Sequence, residues 1–251
     1  MFRIIPLLLA VFLASSCSFN APLKFEETSI SAENFDSCLS TNCPSIKIHY
    51  LKASGNNQKS NKVNRHIEDV LIDIVAAAED DRNYITHVSE AVQFFIDDFK
   101  RFQEDFGNNY IDYDVDTFMQ VSYQSETLVS IELNYYLFTG GAHGINGTRF
   151  INFNAKTGDL LPNETLFNSS EEFIAFCENK FRAMFQIPED RSINATGFWF
   201  ERDSFQLPEN IGFTETEMIL HYNQYEIASY AEGPIILTIP IEEVEQYLEY
   251  Y

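Results

Sequence analysis

Residues 118–138 read FMQVSYQSETLVSIELNYYLF. Apolar side chains recur at every second position on both sides of a polar break at 124–127. That is the pattern of two antiparallel strands joined by a turn, over 118–123 and 128–138. Just upstream the period is helical. Val88, Ala91, Val92, Phe95, Phe99, Phe102 and Phe106 fall at three- and four-residue steps, which predicts a helix over 87–106 ended by Gly107 and Asn108. A second stripe of Val63, Ile67, Val70, Leu71, Ile74 and Ala78 predicts another helix before it, after a polar loop at 53–61 and a strand through Ile46, Ile48 and Tyr50. Downstream, residues 148–154 read as a strand and 156–159 (KTGD) as a turn. Ser169 and Glu172 have the spacing of a capping box for a helix over 170–185. Strands are expected over 199–207, 217–222, 227–230 and 235–239, then a terminal helix over 242–248. The order strand, two helices, strands, helix, strands predicts an α+β fold, a mainly antiparallel sheet packed with a few amphipathic helices.

The chain of 251 residues is long enough for a sizeable core, and with 45% hydrophobic and 22% charged residues it has a globular composition. Its charge is extreme: 16 basic against 38 acidic residues, a net −22 and an isoelectric point near 4.4. Such a chain repels phosphate backbones, so nucleic acid is excluded as a partner and basic partners are favoured.

The opening residues read as an address. Arg3 precedes an apolar run from Ile4 to Ala14, too short for a bilayer, which needs ~20 apolar residues, but of the length of an export signal. Leu13, Ala14, Ser15 and Ser16 lead into Cys17, similar to a bacterial lipoprotein box. The expectation is a signal peptide at 1–16, lipidation of Cys17, a tether over 17–44, and an exported protein of the bacterial cell envelope that meets the membrane only through its anchor. Export permits disulfides. Cys38 and Cys43, in CLSTNC, are candidates for a small disulfide loop, whereas Cys177 falls in the 170–185 helix as a buried free thiol. No cysteine or histidine spacing fits a metal site, and no cofactor motif occurs.

Two segments carry unusual chemistry. LFTGGAHGING places His143 among Gly140, Gly141, Gly144 and Gly147 without Walker spacing or a nucleophile elbow. HYNQYEIASYAEGP, residues 221–234, clusters Tyr222, Tyr225 and Tyr230 with Glu226 and Glu232. Tyrosine joins apolar area to a polar tip, which suits an interface. A structural turn and an ordinary tyrosine-rich strand pair remain the plain alternatives for these segments.

YYLFTGGAHG at 135–144, NFNAKTGDLL at 152–161 and YEIASYAEGPIILTIP at 225–240, in that order, resemble the extracellular module pair of the RsiV/PdaC-type family. The resemblance spans about residues 45–248 and departs at Ser229, where the family has proline before the tyrosine. It implies an N-terminal module over 45–142, a C-terminal module over 143–251, and no catalysis by the pair itself, since deacetylation in that family belongs to a separate metal-dependent domain. It also implies a ligand class, because RsiV-type ectodomains bind lysozyme. The expectation is therefore a non-enzymatic, lipid-anchored envelope protein that binds a protein or peptidoglycan, in its sharpest form a cationic lysozyme or another basic protein. Gly140, Gly141, His143, Tyr222, Tyr225 and Tyr230 are the expected contacts. The alternatives are a cryptic peptidoglycan- or glycan-active hydrolase using His143 and Glu226, and a structural wall-associated module.

Overall fold

A computed structural model describes residues 22–39, 42–55, 57–77, 84–107, 112–168 and 170–251. The signal peptide, Cys17, Ala78, Asn108 and Ser169 lie outside the described residues. The elements are β1 (Phe25–Ser31), β2 (Ser45–Ala53), α1 (Gln58–Val75), α2 (Val88–Phe106), β3 (Asp114–Gln124), β4 (Leu128–Phe138), β5 (Ile145–Asn154), α3 (Asn163–Leu166), α4 (Ser170–Met184), β6 (Asn210–Phe213), β7 (Glu217–Tyr222), β8 (Ile235–Pro240) and α5 (Ile241–Val244).

The first five strands form one sheet in sequence order. Every neighbouring pair is antiparallel except β2–β3, which runs parallel. A parallel pair cannot be closed by a hairpin, and α1 and α2 supply the crossover. Their stripes fill the first core: Val63, Ile67, Leu71, Val92, Phe95 and Phe99 are buried with Ile48, Val115, Ile131 and Leu133 from the sheet. Phe95, Phe99 and Phe102 ring Tyr113 at 5.5, 5.5 and 5.8 Å, just before β3 begins. Full burial of such a ring, as at Phe95 and Phe99, contributes about 1.5–3 kcal/mol by leaving water. Asn57 starts α1 by accepting from the Ser60 amide at 3.0 Å.

The last three strands make a second antiparallel sheet, β6-β7-β8. Its core gathers Phe173, Cys177 and Phe181 of α4 with Phe200, Phe205, Met218, Leu220 and Ile239. Cys177 is buried and free, and burial raises its thiol to about 12.

Four expectations about secondary structure are corrected. The tether over 17–44 contains a strand: β1 pairs with β2 over seven positions, Phe25↔Ala53 to Ser31↔Lys47. Its sequence FEETSIS hides this, because an edge strand covered on one face needs few apolar residues. Residues 199–207 are not a strand. Phe200 and Phe205 are buried there without a ladder, a 3₁₀ turn occupies Glu201–Asp203, and the strand is β6. Residues 227–230 are not a strand either, since the chain turns into a 3₁₀ helix at Tyr230–Glu232. The terminal helix is one turn, α5, followed by a 3₁₀ turn at Glu245–Tyr247, and the chain ends against Phe167, which bridges to Leu248. A division after residue 142 falls inside the β4–β5 hairpin, between two strands of one sheet.

Candidate functional site

The two units meet along β5, the free edge of the first sheet. The segment after β7 is fastened to that edge by Asn223. Its amide group donates to the Thr148 carbonyl at 2.9 Å and its carbonyl accepts from the Thr148 amide at 2.8 Å. One side chain thus completes two backbone bonds that a sixth strand would otherwise make. The turn that follows is closed by Glu226, whose two carboxylate oxygens accept from the Asn223 amide at 2.8 Å and the Glu209 amide at 3.1 Å. Burial raises the Glu226 carboxyl, and the backbone bonds from Asn223 and Glu209 act in the opposite direction. The turn holds Tyr225 at a φ of +68°, a left-handed conformation rare for an aromatic residue, with its side chain 59% exposed.

The β4–β5 hairpin supplies the other half. Gly140 and Gly141 take φ of +97° and +101°, angles that side chains strongly disfavour, and so turn the chain. Gly144 and Gly147 serve a different purpose. A Cβ on Gly144 would sit 2.3 Å from the Tyr136 ring, and one on Gly147 would sit 2.3 Å from the Tyr135 ring. The two tyrosines of YYLF therefore lie across bare backbone at the start of β5 and just before it. His143 projects from the tip of this hairpin, exposed, with Nδ1 3.0 Å from the Gly144 carbonyl oxygen.

The two halves join through rings. His143 stacks on Tyr230 with centroids 4.3 Å apart, and Tyr230 meets Tyr225 at 5.5 Å. A polar cleft of about 320 Å³ opens beside them, lined by Tyr135, Gly147, Thr148, His221, Asn223 and Pro234. Burial holds the His221 imidazole below its ordinary range, against the opposing pull of the Glu132 charge and a hydrogen bond with Asn223. Chemically, the arrangement offers an exposed aromatic ledge and a notch of amide groups.

Five expected contacts thus come together: Gly140, Gly141, His143, Tyr225 and Tyr230. Tyr222 does not. It is 1% exposed, packs edge-on against Phe181 and Phe200, and donates its hydroxyl proton to the Gln206 carbonyl at 2.7 Å. It is a core residue, because the alternation of β7 turns it inward beside Leu220. Cys38 and Cys43 are joined in a disulfide. Among the described residues, no three His, Cys, Asp or Glu side chains gather as a metal-binding group. Asn223 was not singled out from the sequence. Its only local signal is a turn-forming residue directly after a strand, and its partner Thr148 lies 75 residues away.

Comparison with known proteins gives two family matches in succession. The family model for deacetylase PdaC matches residues 37–146, and the model for DUF3298, a protein of unknown function, matches residues 159–242. A solved structure of a DUF3298 family member from Bacteroides fragilis is 19% identical with a TM-score of 0.63, covering 91% of this chain and 94% of that one. A DUF3298 family protein from Pseudomonas aeruginosa is 21% identical with a TM-score of 0.59, covering 92% of this chain and 96% of that one. No curated protein matches.

Proposed function

We propose that this chain, which pairs a PdaC module with a DUF3298 module, is a non-enzymatic envelope protein, anchored through an acylated Cys17, that captures a basic protein ligand, a cationic lysozyme being the best candidate. The observation that carries the reading is the His143–Tyr230–Tyr225 ledge. Loops from both units build it, with His143 and Tyr225 exposed and Tyr230 half-buried between them, on a protein of net charge −22. Aromatic rings that are already held in place supply contact area with little ordering to pay for on binding, and an acidic surround steers a cationic partner toward them. The turn is fixed independently of any ligand by Asn223 and Glu226. The same bonds count against a hydrolase reading. Glu226 would be its acid or base, yet both of its oxygens are occupied by backbone amides.

The test is calorimetric titration of residues 18–251, which include every described element, with a c-type lysozyme at low and at physiological salt. Cytochrome c serves as a basic control. Saturable binding that persists at physiological salt and is absent for cytochrome c is the expected result. Equal binding to both, lost with salt, would reduce the ledge to a bystander on an acidic surface. Acylation is read separately, as incorporation of labelled palmitate that disappears in Cys17→Ser.

A further inference from the structure

The single tryptophan of the chain, Trp199, is 46% exposed, while its neighbours point the other way. Phe198 packs on Phe181 at 5.0 Å and Phe185 at 4.9 Å, and Phe200 packs on Phe181 at 5.3 Å. With both flanking rings committed to the core, extended backbone leaves Trp199 facing solvent. Its position is fixed twice over. The Trp199 amide donates to the Ile227 carbonyl at 3.0 Å, which places it beside the turn that carries Tyr225 and Tyr230. The Asn194 side chain grips Phe200, donating to its carbonyl at 3.0 Å and accepting from its amide at 2.8 Å.

The next residues are strained. Arg202 and Asp203, neither a glycine, hold φ of +55° and +56° in succession. The Asp203 carboxylate accepts from the Ser192 hydroxyl and steadies this conformation. Strain of this kind persists only where surrounding structure enforces it, and it concentrates at binding sites. Here it presents a large aromatic ring beside exposed Glu201 and Asp203, and Glu232 is exposed on the Tyr230 turn.

We infer that the Trp199–Asp203 turn extends the His143–Tyr230–Tyr225 ledge into one contact surface, with Trp199 as its anchor against a strongly basic protein. This rests on the capture reading proposed above. Charge complementarity selects the partner, since exposed Glu201, Asp203 and Glu232 outnumber the intervening Arg202 around these rings, on a chain with 38 acidic residues. Tryptophan and tyrosine are the residues on which binding energy concentrates.

The test titrates a c-type lysozyme at physiological salt into residues 18–251 carrying Trp199→Ala, Trp199→Phe, Glu201→Lys or Tyr230→Ala. Lys52→Ala, at the end of β2, is the remote control, and near-ultraviolet circular dichroism checks each fold. Expected are at least a tenfold loss for Trp199→Ala, about threefold for Trp199→Phe, at least fivefold for Glu201→Lys, and no change for Lys52→Ala. If Trp199→Ala does not fold, Glu201→Lys decides alone, since that residue is exposed. Wild-type affinity in the Trp199 and Glu201 variants, with Tyr230→Ala impaired, would confine the surface to the ledge and overturn this inference while leaving the capture reading intact. Absence of lysozyme binding to the wild-type chain would overturn both.

Discussion

Tyr225 spends stability to hold its ring in place. A non-glycine residue in the left-handed region costs roughly 1–2 kcal/mol, and Tyr225 recovers little of that by burial at 59% exposure. Tyr225→Gly is therefore expected to keep or slightly raise the melting temperature while lowering lysozyme affinity at least tenfold. A variant that melts several degrees lower would make Tyr225 a structural residue instead. Ser229 carries the opposite lesson. Its φ of −66° and ψ of 158° are angles that proline imposes, and among the described residues its amide makes no backbone hydrogen bond. The departure from the family's proline thus leaves the turn in proline geometry. Ser229→Pro is expected to stabilise by about 0.4–1 kcal/mol through a less free unfolded chain, measurable by urea denaturation. At this scale sequence reading has a clear limit. Tyr222, Tyr225 and Tyr230 look alike in HYNQYEIASY, yet the first is core, the second exposed and the third half-buried. What separates them is the inward register of β7 and a hydroxyl partner at Gln206, 16 residues away.

Helices α1 and α2 were legible because a stripe of Val, Ile and Phe at helical spacing has few other ways to be buried. Their ends are legible in part. Glu90 reaches back over the start of α2 to accept from the Thr86 amide at 2.8 Å, the His87 amide at 3.2 Å and the Thr86 hydroxyl at 3.2 Å. Those donors, the Thr86 amide foremost, hold its carboxyl below the ordinary carboxylate range. A carboxyl depressed in the folded state stabilises above its unfolded value and loses that contribution as pH falls through the folded one. Glu90→Gln should accordingly lower the melting temperature at pH 7, and the gap to wild type should close on acidification below about pH 4. A gap that is constant with pH would assign the effect to side-chain shape rather than to charge. Strands were harder to read. Residues 198–205 and 227–228 bury alternate or successive apolar side chains just as strands do, but their backbone bonds go to single turns and to each other, as from Trp199 to Ile227. Burial pattern reports which side chains are covered and is silent about the ladder. β1 shows the converse, a ladder of seven pairs with little burial to announce it.

Over the whole molecule, the β5 edge makes two units into one. The Asn152 side chain donates to the Ile211 carbonyl at 2.7 Å, and the Asn210 side chain accepts from the Phe150 amide at 3.3 Å. The Phe213 amide donates to the Ser130 hydroxyl at 3.3 Å, and Asn223 clamps Thr148. Tyr123 and Leu128, from the first sheet, belong to the second core. Most of β5 falls between the two family matches, which end at 146 and resume at 159, so this joint is written in neither module alone. Nor could spacing reveal it, since each link spans 59 to 83 residues. Gly212 is a point of close approach between the units. A Cβ there would lie 2.1 Å from the Phe150 ring, so even alanine must displace a half-buried aromatic or separate the sheets. Overpacking of this kind costs typically 1–3 kcal/mol. The expected result for the wild-type domain is one calorimetric transition, because the second core is not complete without Tyr123 and Leu128 of the first sheet. In Gly212→Ala that transition should move down by several degrees or divide in two, and lysozyme affinity should fall with it, because the ring of His143 rides on one unit and that of Tyr230 on the other. Two well-separated transitions in the wild-type protein, or full affinity in a destabilised Gly212→Ala, would mean that the units fold independently and that the ledge does not depend on how they are joined.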